Sequence, residues 1–299
     1  MARAQWREWL RPRLRWRRAW AKVFPPPYGV PHRAVVNGFP KGGTHLLVRC
    51  ATLLGGEQRV DFFFDRKMGG AVQGGPGIPL GIGEPVAVAP EEVERRLAGL
   101  GAGEFAVGHI PYSEEFAALL DRFKLRMVFI LRDPRDVVVS LVHHTLTDAS
   151  NRLHGYFKQT LNGLDECLLA GIAGVKANQT RDGMWLASIG QQLEWVKPWL
   201  TAPVSHTTRF ERLVGPQGGG SAKAQREEIA RIAGHLGLSL TPAQIDEVAS
   251  RLFGQGSPTF RRGQIGSWKE HFREEHKDAF KRVAGKQLLE MGYERDLNW

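Results

Sequence analysis

Lys41 stands in the run Ala34-Val35-Val36-Asn37-Gly38-Phe39-Pro40-Lys41-Gly42-Gly43-Thr44-His45, between what reads as a buried strand and the start of a helix. A glycine-bearing turn in that place aims backbone N–H groups and the positive end of a helix at one spot, which suits an anion. Two further segments carry residue types that grip phosphate. Arg132, in Arg132-Asp133-Pro134-Arg135-Asp136, offers a planar fork of donors, and Ser140, two helical turns beyond Asp133, adds a hydroxyl. Arg261 and Arg262 precede Gly263, whose freedom could fold a loop over the same group. His109, at the end of a short apolar run, can take a proton from a hydroxyl, since its unperturbed pKa lies near 6.5. Each feature alone is an ordinary turn or a solvated charge. The segments in this order amount to an anion site with a base.

The loop differs from a nucleoside-triphosphate loop of the form G-x-x-x-x-G-K-[ST], where lysine follows the last glycine and a hydroxyl holds Mg²⁺. Here Lys41 precedes Gly42 and Gly43, and the strand that would supply a metal-binding aspartate runs into Arg132. An anion site without metal ligands fits sulfuryl transfer better than phosphoryl transfer. An SO₃ group in flight carries less charge than PO₃, so one lysine and a few amides can stabilise the leaving phosphate. A small-molecule kinase of the P-loop type is the rival enzyme, and Mg²⁺-dependent ATP binding would favour it. A non-catalytic protein binding nucleic acid or membrane is the rival outside enzymology. It leaves the central motifs without a use, so no nucleic-acid partner is expected.

The three segments resemble those of the cytosolic-type sulfotransferases, which use 3′-phosphoadenosine 5′-phosphosulfate (PAPS). The family's P-K-S-G-T-T loop, which holds the 5′-phosphosulfate, is similar to Pro40-Lys41-Gly42-Gly43-Thr44-His45. Its R-x-P-x-D-x-x-x-S segment matches Arg132 through Ser140, and its R-K-G-x-x-G-D-W-K segment matches Arg261 through Lys269; both reach the 3′-phosphate. Its K-x-H-x-P, bearing the catalytic histidine, lines up with Val107-Gly108-His109-Ile110-Pro111, and its Y-E-D-L, near the adenine, with Phe210-Glu211-Arg212-Leu213. The resemblance spans residues 33–275. It implies PAPS as co-substrate with no metal, Lys41 and His109 as catalytic residues, and a hydroxyl acceptor that is a small molecule, a lipid-like alcohol or a glycan. It implies cofactor contacts from Lys41, Gly42, Gly43, Thr44, His45, Arg132, Ser140, Phe210, Arg261, Arg262 and Gly263. Departures are Gly42 for serine, His45 for the second threonine, Leu46 for an adenine-stacking tryptophan, Val107 for lysine and Ser267 for aspartate. Phe210 or Phe253 would have to supply that stacking.

Around these residues the chain is ordinary for a globular protein: 299 residues, 42% hydrophobic and 24% charged. Cys50 and Cys167 are its only cysteines and lie far apart, so no disulfide framework is implied and a reducing, cytoplasmic setting is expected. The formal charge of +10 favours an anionic partner, but residues 1–22 hold eight basic residues against Glu8 alone. On a helical wheel Trp6, Trp9, Trp16 and Trp20 fall within roughly 80°. That arm reads as an interfacial helix on an anionic membrane, or as a segment packed on its own domain. Unchanged vesicle pelleting after deletion of residues 1–24 would rule out the membrane. Pro25-Pro26-Pro27 closes it, which divides the chain into an arm and linker over 1–32 and a catalytic domain over 33–299.

The expected elements alternate: strands over 34–39, 105–109 and 126–131, with helices over 44–54, 90–100, 114–123 and 133–143. Residues 69–83, with seven glycines and two prolines, read as a loop. Helices over 185–200, 222–236 and 241–253 and a strand over 204–210 complete the second half. Alternation of this kind predicts an α/β fold, a three-layer αβα sandwich around a parallel sheet with a P-loop-like site. Residues 61–83 and 143–183 are expected to line the acceptor site, with His143, His144, Tyr156, Phe157 and Trp185 on hand.

Overall fold

Five short strands, all parallel, form the sheet on which everything else is hung, in the order Glu57–Phe64, Glu104–Gly108, Ala34–Gly38, Arg126–Leu131 and Ser205–Arg209. They come from a computed structural model, which describes residues 32–66, 68, 76–253 and 263–299. In chain order the elements begin with β1 (Ala34–Gly38), α1 (Thr44–Leu53), β2 (Glu57–Phe64), β3 (Ile78–Leu80), β4 (Val86–Val88) and α2 (Pro90–Ala98). Next come β5 (Glu104–Gly108), α3 (Glu114–Arg122), β6 (Arg126–Leu131), α4 (Pro134–Thr147), α5 (His154–Gln159), α6 (Gly163–Ala173) and α7 (Ile189–Val196). The chain closes with β7 (Ser205–Arg209), α8 (Phe210–Leu213), α9 (Ala222–His235), α10 (Pro242–Leu252) and α11 (Glu274–Glu290). The Trp/Arg-rich arm lies outside the described residues.

Strand periodicity sends alternate side chains to opposite faces, and each face has its own core. Val35, Ala106, Met127, Phe129 and Leu131 pack with Val138, Leu168, Leu193 and Phe280 from α4, α6, α7 and α11. Ala34, Val36, Phe105, Val107, Val128 and Ile130 pack with Leu47, Ile229 and Val248 from α1, α9 and α10. This is the three-layer arrangement expected from the alternating pattern. Val107, which departs from the family's lysine, is buried in the second core, so its side chain faces packing and not the cleft.

Three local expectations need correction. Ile78–Leu80, placed in a loop by its glycine-rich surroundings, pairs antiparallel with β4 and buries Ile78 and Leu80. Apolar residues flanking Pro79 outweighed the local composition. The strand β2 had no counterpart in the expected elements; charged Glu57 and Arg59 hide it, and it lies at the sheet edge. The helix expected over 185–200 starts at Ser188, whose hydroxyl accepts the Gln191 amide, and tightens into a 3₁₀ turn at Lys197–Leu200. Pro198 has no N–H to continue the α ladder.

Strand order explains where a ligand belongs. After β1 the chain crosses to one face as α1; after β6, the neighbour of β1, it crosses to the other as α4. The two connections diverge and leave a crevice at the carboxyl ends of these strands. The loop bearing Lys41 and the segment starting at Arg132 form its two sides. No described helix is long and apolar enough to cross a membrane.

Candidate active site

The β1–α1 loop is built around two unusual backbone conformations. Lys41 adopts the left-handed region at φ 63°, a cost of about 1 kcal/mol or more for a residue with a Cβ. Gly43 follows at φ 104° as the N-cap of α1, and a Cβ there would stand 2.8 Å from the Phe210 ring. Gly42 gives its N–H to the Phe39 carbonyl at 2.7 Å, so that amide closes the turn and does not face a ligand. The amides of Gly43, Thr44 and His45 open the helix, where no earlier turn supplies carbonyls. Thr44 is buried, with its hydroxyl beneath Gly38, where a Cβ would come within 2.1 Å of it. His45 is exposed on the first turn.

Electrostatics single out the same loop. Burial lowers the Lys41 ammonium to about 8, an effect that Asp148 opposes. His45 is held below the ordinary histidine range by desolvation and then by the Lys41 charge. A lysine pulled down this far is held charged by any anion that joins it.

His109 lies just past the end of β5, where its own backbone is fixed from both sides. Its N–H donates to the Phe64 carbonyl at 2.9 Å, and its carbonyl accepts the Gly81 N–H at 2.8 Å. Its ring Nδ1 lies 2.6 Å from the Gly38 carbonyl. A carbonyl can only accept, so Nδ1 carries the proton and Nε2 is left as the acceptor. Burial, first among several effects, keeps the imidazole below its usual range, with Lys41 and His45 adding to it and the Gly38 carbonyl and Asp65 opposing it. At neutral pH the ring is therefore an uncharged base. The Phe63 ring stands edge-on to it at 5.5 Å between centroids.

Asn37 is a residue that the motifs do not flag. Fully buried in β1, it accepts the Ile110 N–H at 2.9 Å and donates to the Ile110 carbonyl at 3.0 Å, while Trp199 Nε1 donates to that carbonyl at 2.9 Å. These bonds tie the residue after the base to the strand before the lysine loop. A lone asparagine inside an apolar strand was the available sign, because a buried amide must find partners.

The other side of the crevice is a charge network. Arg132 is buried, its guanidinium 4.5 Å from the centre of the Phe210 ring, with Nη2 donating to the Gln264 carbonyl at 2.7 Å and 3.3 Å from Asp136. Its Nε is buried without a partner among the described residues. An arginine held this way, with a donor unused, suits a terminal phosphate. Phe210 is 5% exposed, lodged between Arg132 and Gly43, so it braces the cleft floor. Ser140 is half-buried two turns into α4.

Asp136 decides how the late motif docks. Fully buried, it accepts the N–H groups of Gly266 and Trp268 at 2.9 Å and the Ser267 hydroxyl at 3.0 Å. The departure at Ser267 thus contributes a donor. Arg135 does structural work: it pairs with Asp133 and Glu294 and lies 4.0 and 4.5 Å from the ring centres of Trp268 and Trp299. Gly263, at φ 61°, leads into this docked stretch. Arg261 and Arg262 lie outside the described residues. We expect Asp136→Ala to cost about 3–5 kcal/mol, because three donors and Arg132 lose a buried acceptor. Urea unfolding measures this, and a loss below about 1 kcal/mol would show that the late segment docks without Asp136.

Among the expected acceptor residues, Phe157 is buried in the core and cannot meet a ligand. Tyr156 and Trp185 are half-buried, and the rings of His143 and His271 meet at 5.2 Å.

Comparisons with known proteins bear on the family and the fold. The chain matches the sulfotransferase domain family model over residues 31–253. Similar solved structures include mouse sulfotransferase SULT7A1 complexed with PAP, at 12% identity and TM-score 0.54, covering 86% of this chain and 84% of that one. They also include retinol dehydratase with PAP and either androsterone or retinol, each at 16% identity and TM-score 0.54, covering 88% of this chain and 82% of that one. No curated protein sequence matches the chain. At these identities the solved structures speak for the fold, and the family model speaks for the reaction class. The chain belongs to the sulfotransferase domain family, and its reaction is sulfuryl transfer.

Proposed function

We propose that this sulfotransferase transfers SO₃ from PAPS in line to the hydroxyl of a small, largely apolar alcohol, with His109 as base and Lys41 on the leaving oxygen. The observation that carries this reading is the 2.6 Å contact between His109 Nδ1 and the Gly38 carbonyl. It fixes the tautomer and leaves Nε2 free to accept the acceptor's proton, and the Gly38 carbonyl that holds the ring stands three residues before Lys41. When bound, PAPS supplies the SO₃ group and an adenosine bisphosphate leaving group. The chain's own residues do the rest. Nε2 of His109 takes the hydroxyl proton as the S–O bond forms, and the Lys41 ammonium offsets charge on the bridging phosphate oxygen as the old S–O bond breaks. The Gly43, Thr44 and His45 amides hold the 5′ end, and Arg132 with Ser140 takes the 3′-phosphate. Arg261 and Arg262 join them on the strength of their sequence.

The apolar acceptor is inferred from Phe63, 37% exposed and edge-on to the base. The retinol dehydratase structures hold retinol and androsterone, both apolar alcohols, which supports the same class here. Residues 33–299 as one catalytic unit, a cytoplasmic setting and membrane contact through residues 1–24 are our readings of the sequence. Labelled PAPS offered with pools of apolar alcohols, phenols and sugars tests the assignment. Label is expected in the apolar alcohols; transfer to sugars alone would overturn the acceptor class, and no binding of PAP would overturn the donor.

A further inference from the structure

We infer that Glu211 is a proton-linked positioning residue of the 3′-phosphate site, so that gripping the bisphosphorylated nucleotide takes up a proton on its carboxylate. The inference rests on the donor reading above and adds a residue to it.

Glu211 follows Phe210, whose ring supports Arg132, and its Oε1 accepts the Asp133 N–H at 2.8 Å. That amide sits at the mouth of α4, one residue beyond Arg132. A carboxylate has thus taken a place at a helix N-terminus that an incoming phosphate also favours. Its other oxygen, Oε2, is buried and has no hydrogen-bond partner among the described residues, which is costly for a charged oxygen and tolerable for a neutral acid.

The surrounding charges make the same point. From β6 and α4 come Arg132, Asp133, Arg135 and Asp136; from the end of β7 comes Arg209; from the segment after α11 come Tyr293 and Glu294. Asp133 and Glu294 are paired with Arg135, and Asp136 lies against Arg132. Arg209 stacks on the Tyr293 ring at 4.6 Å and donates to the Met291 carbonyl. Tyr293 keeps its proton, because burial and then Glu211 raise it well above the usual tyrosine range. With Glu211 ionised, carboxylates outnumber guanidiniums by one in this group; with it protonated, they balance. Burial already raises Glu211 to about 7; the amides of Asp133 and of Glu211 itself oppose the rise by hydrogen bonding, the Asp133 charge adds to it and Arg132 opposes it. A phosphate dianion set on Arg132 lends weight to the protonated form, and by linkage protonation strengthens the phosphate's hold.

The sign is unusual and testable. Two other proton movements accompany binding: a phosphate set against arginine and lysine ionises further and releases a proton, and Lys41, lowered to about 8, takes one up beside it. Glu211→Gln leaves both groups in place. The difference between wild type and Glu211→Gln therefore isolates the carboxylate, since glutamine keeps an oxygen for the Asp133 amide. Titrating the full chain with PAP by calorimetry, in buffers of different ionisation enthalpy at about pH 7.5, measures proton uptake directly. Wild type should take up a fraction of a proton more than the glutamine variant, and its PAP affinity should fall about 3- to 10-fold more between about pH 6.5 and 8.5. Infrared spectra of the wild-type protein should show a protonated carboxyl band growing as PAP is added, a readout that needs no variant to fold. Equal proton uptake in both proteins with no such band, while both bind PAP, would overturn the role of Glu211. Failure of the wild type itself to bind PAP would overturn the donor reading beneath it.

Discussion

Lys41→Gly is expected to lower kcat by about 10²–10³-fold while leaving the protein as stable as before, or more so. The two effects have separate origins at one residue. The ammonium offsets charge that appears on the bridging oxygen only as the S–O bond breaks, so its loss is felt in kcat. The backbone at φ 63° is strained for any residue with a Cβ, and glycine removes both that strain and a desolvated charge. Lys41→Ala should lose the same turnover and gain less stability than the glycine variant, because it removes the desolvated charge but keeps the strain, and Lys41→Arg should keep part of the activity. Steady-state kinetics with thermal unfolding of the three variants distinguishes these effects. Turnover near the wild-type rate in the glycine variant would take the lysine out of the chemistry.

His109→Ala should reduce kcat by about 10²–10⁴-fold, the range for loss of a positioned general base. The pH profile gives a sharper test than the magnitude. The base works deprotonated and its pKa lies below 6.5, so wild-type kcat/KM should hold above that point and fall on its acid side. Lys41 works protonated, so in the free enzyme kcat/KM should fall again as pH rises through about 8. The alanine variant should lose the acid limb and keep the alkaline one. An acid limb that survives the substitution would assign it to another group. Residual activity in this variant is expected from the amides and Lys41, which act without the imidazole.

The reaction class was legible because its motifs are local. Lys41 with its glycines, Arg132 before a helix-opening proline, and His109 at a strand end are each set by a few neighbouring residues. The sheet was legible for the same reason: residues 127–131 are all apolar, the pattern of a strand buried on both faces. Edge elements were harder. Glu57–Phe64 mixes charge with aromatics, and the strand at Ile78–Leu80 draws its stability from pairing with Val86–Val88.

The amino-acid order by itself determined which groups can hold an anion, which group can accept a proton, and that strands and helices alternate, since these follow from residue type and short-range periodicity. Folding alone decided the partners. Asp136 became the dock for residues 266–268, Asn37 the tie behind the base, and Glu211 the carboxylate at the mouth of α4, each by meeting residues 70 or more positions away. Asp136 is the clearest case, because more than a hundred residues separate it from the amides it holds. Neither propensity nor spacing reports on such a pair, because a buried polar atom finds its partner only when the layers close around it.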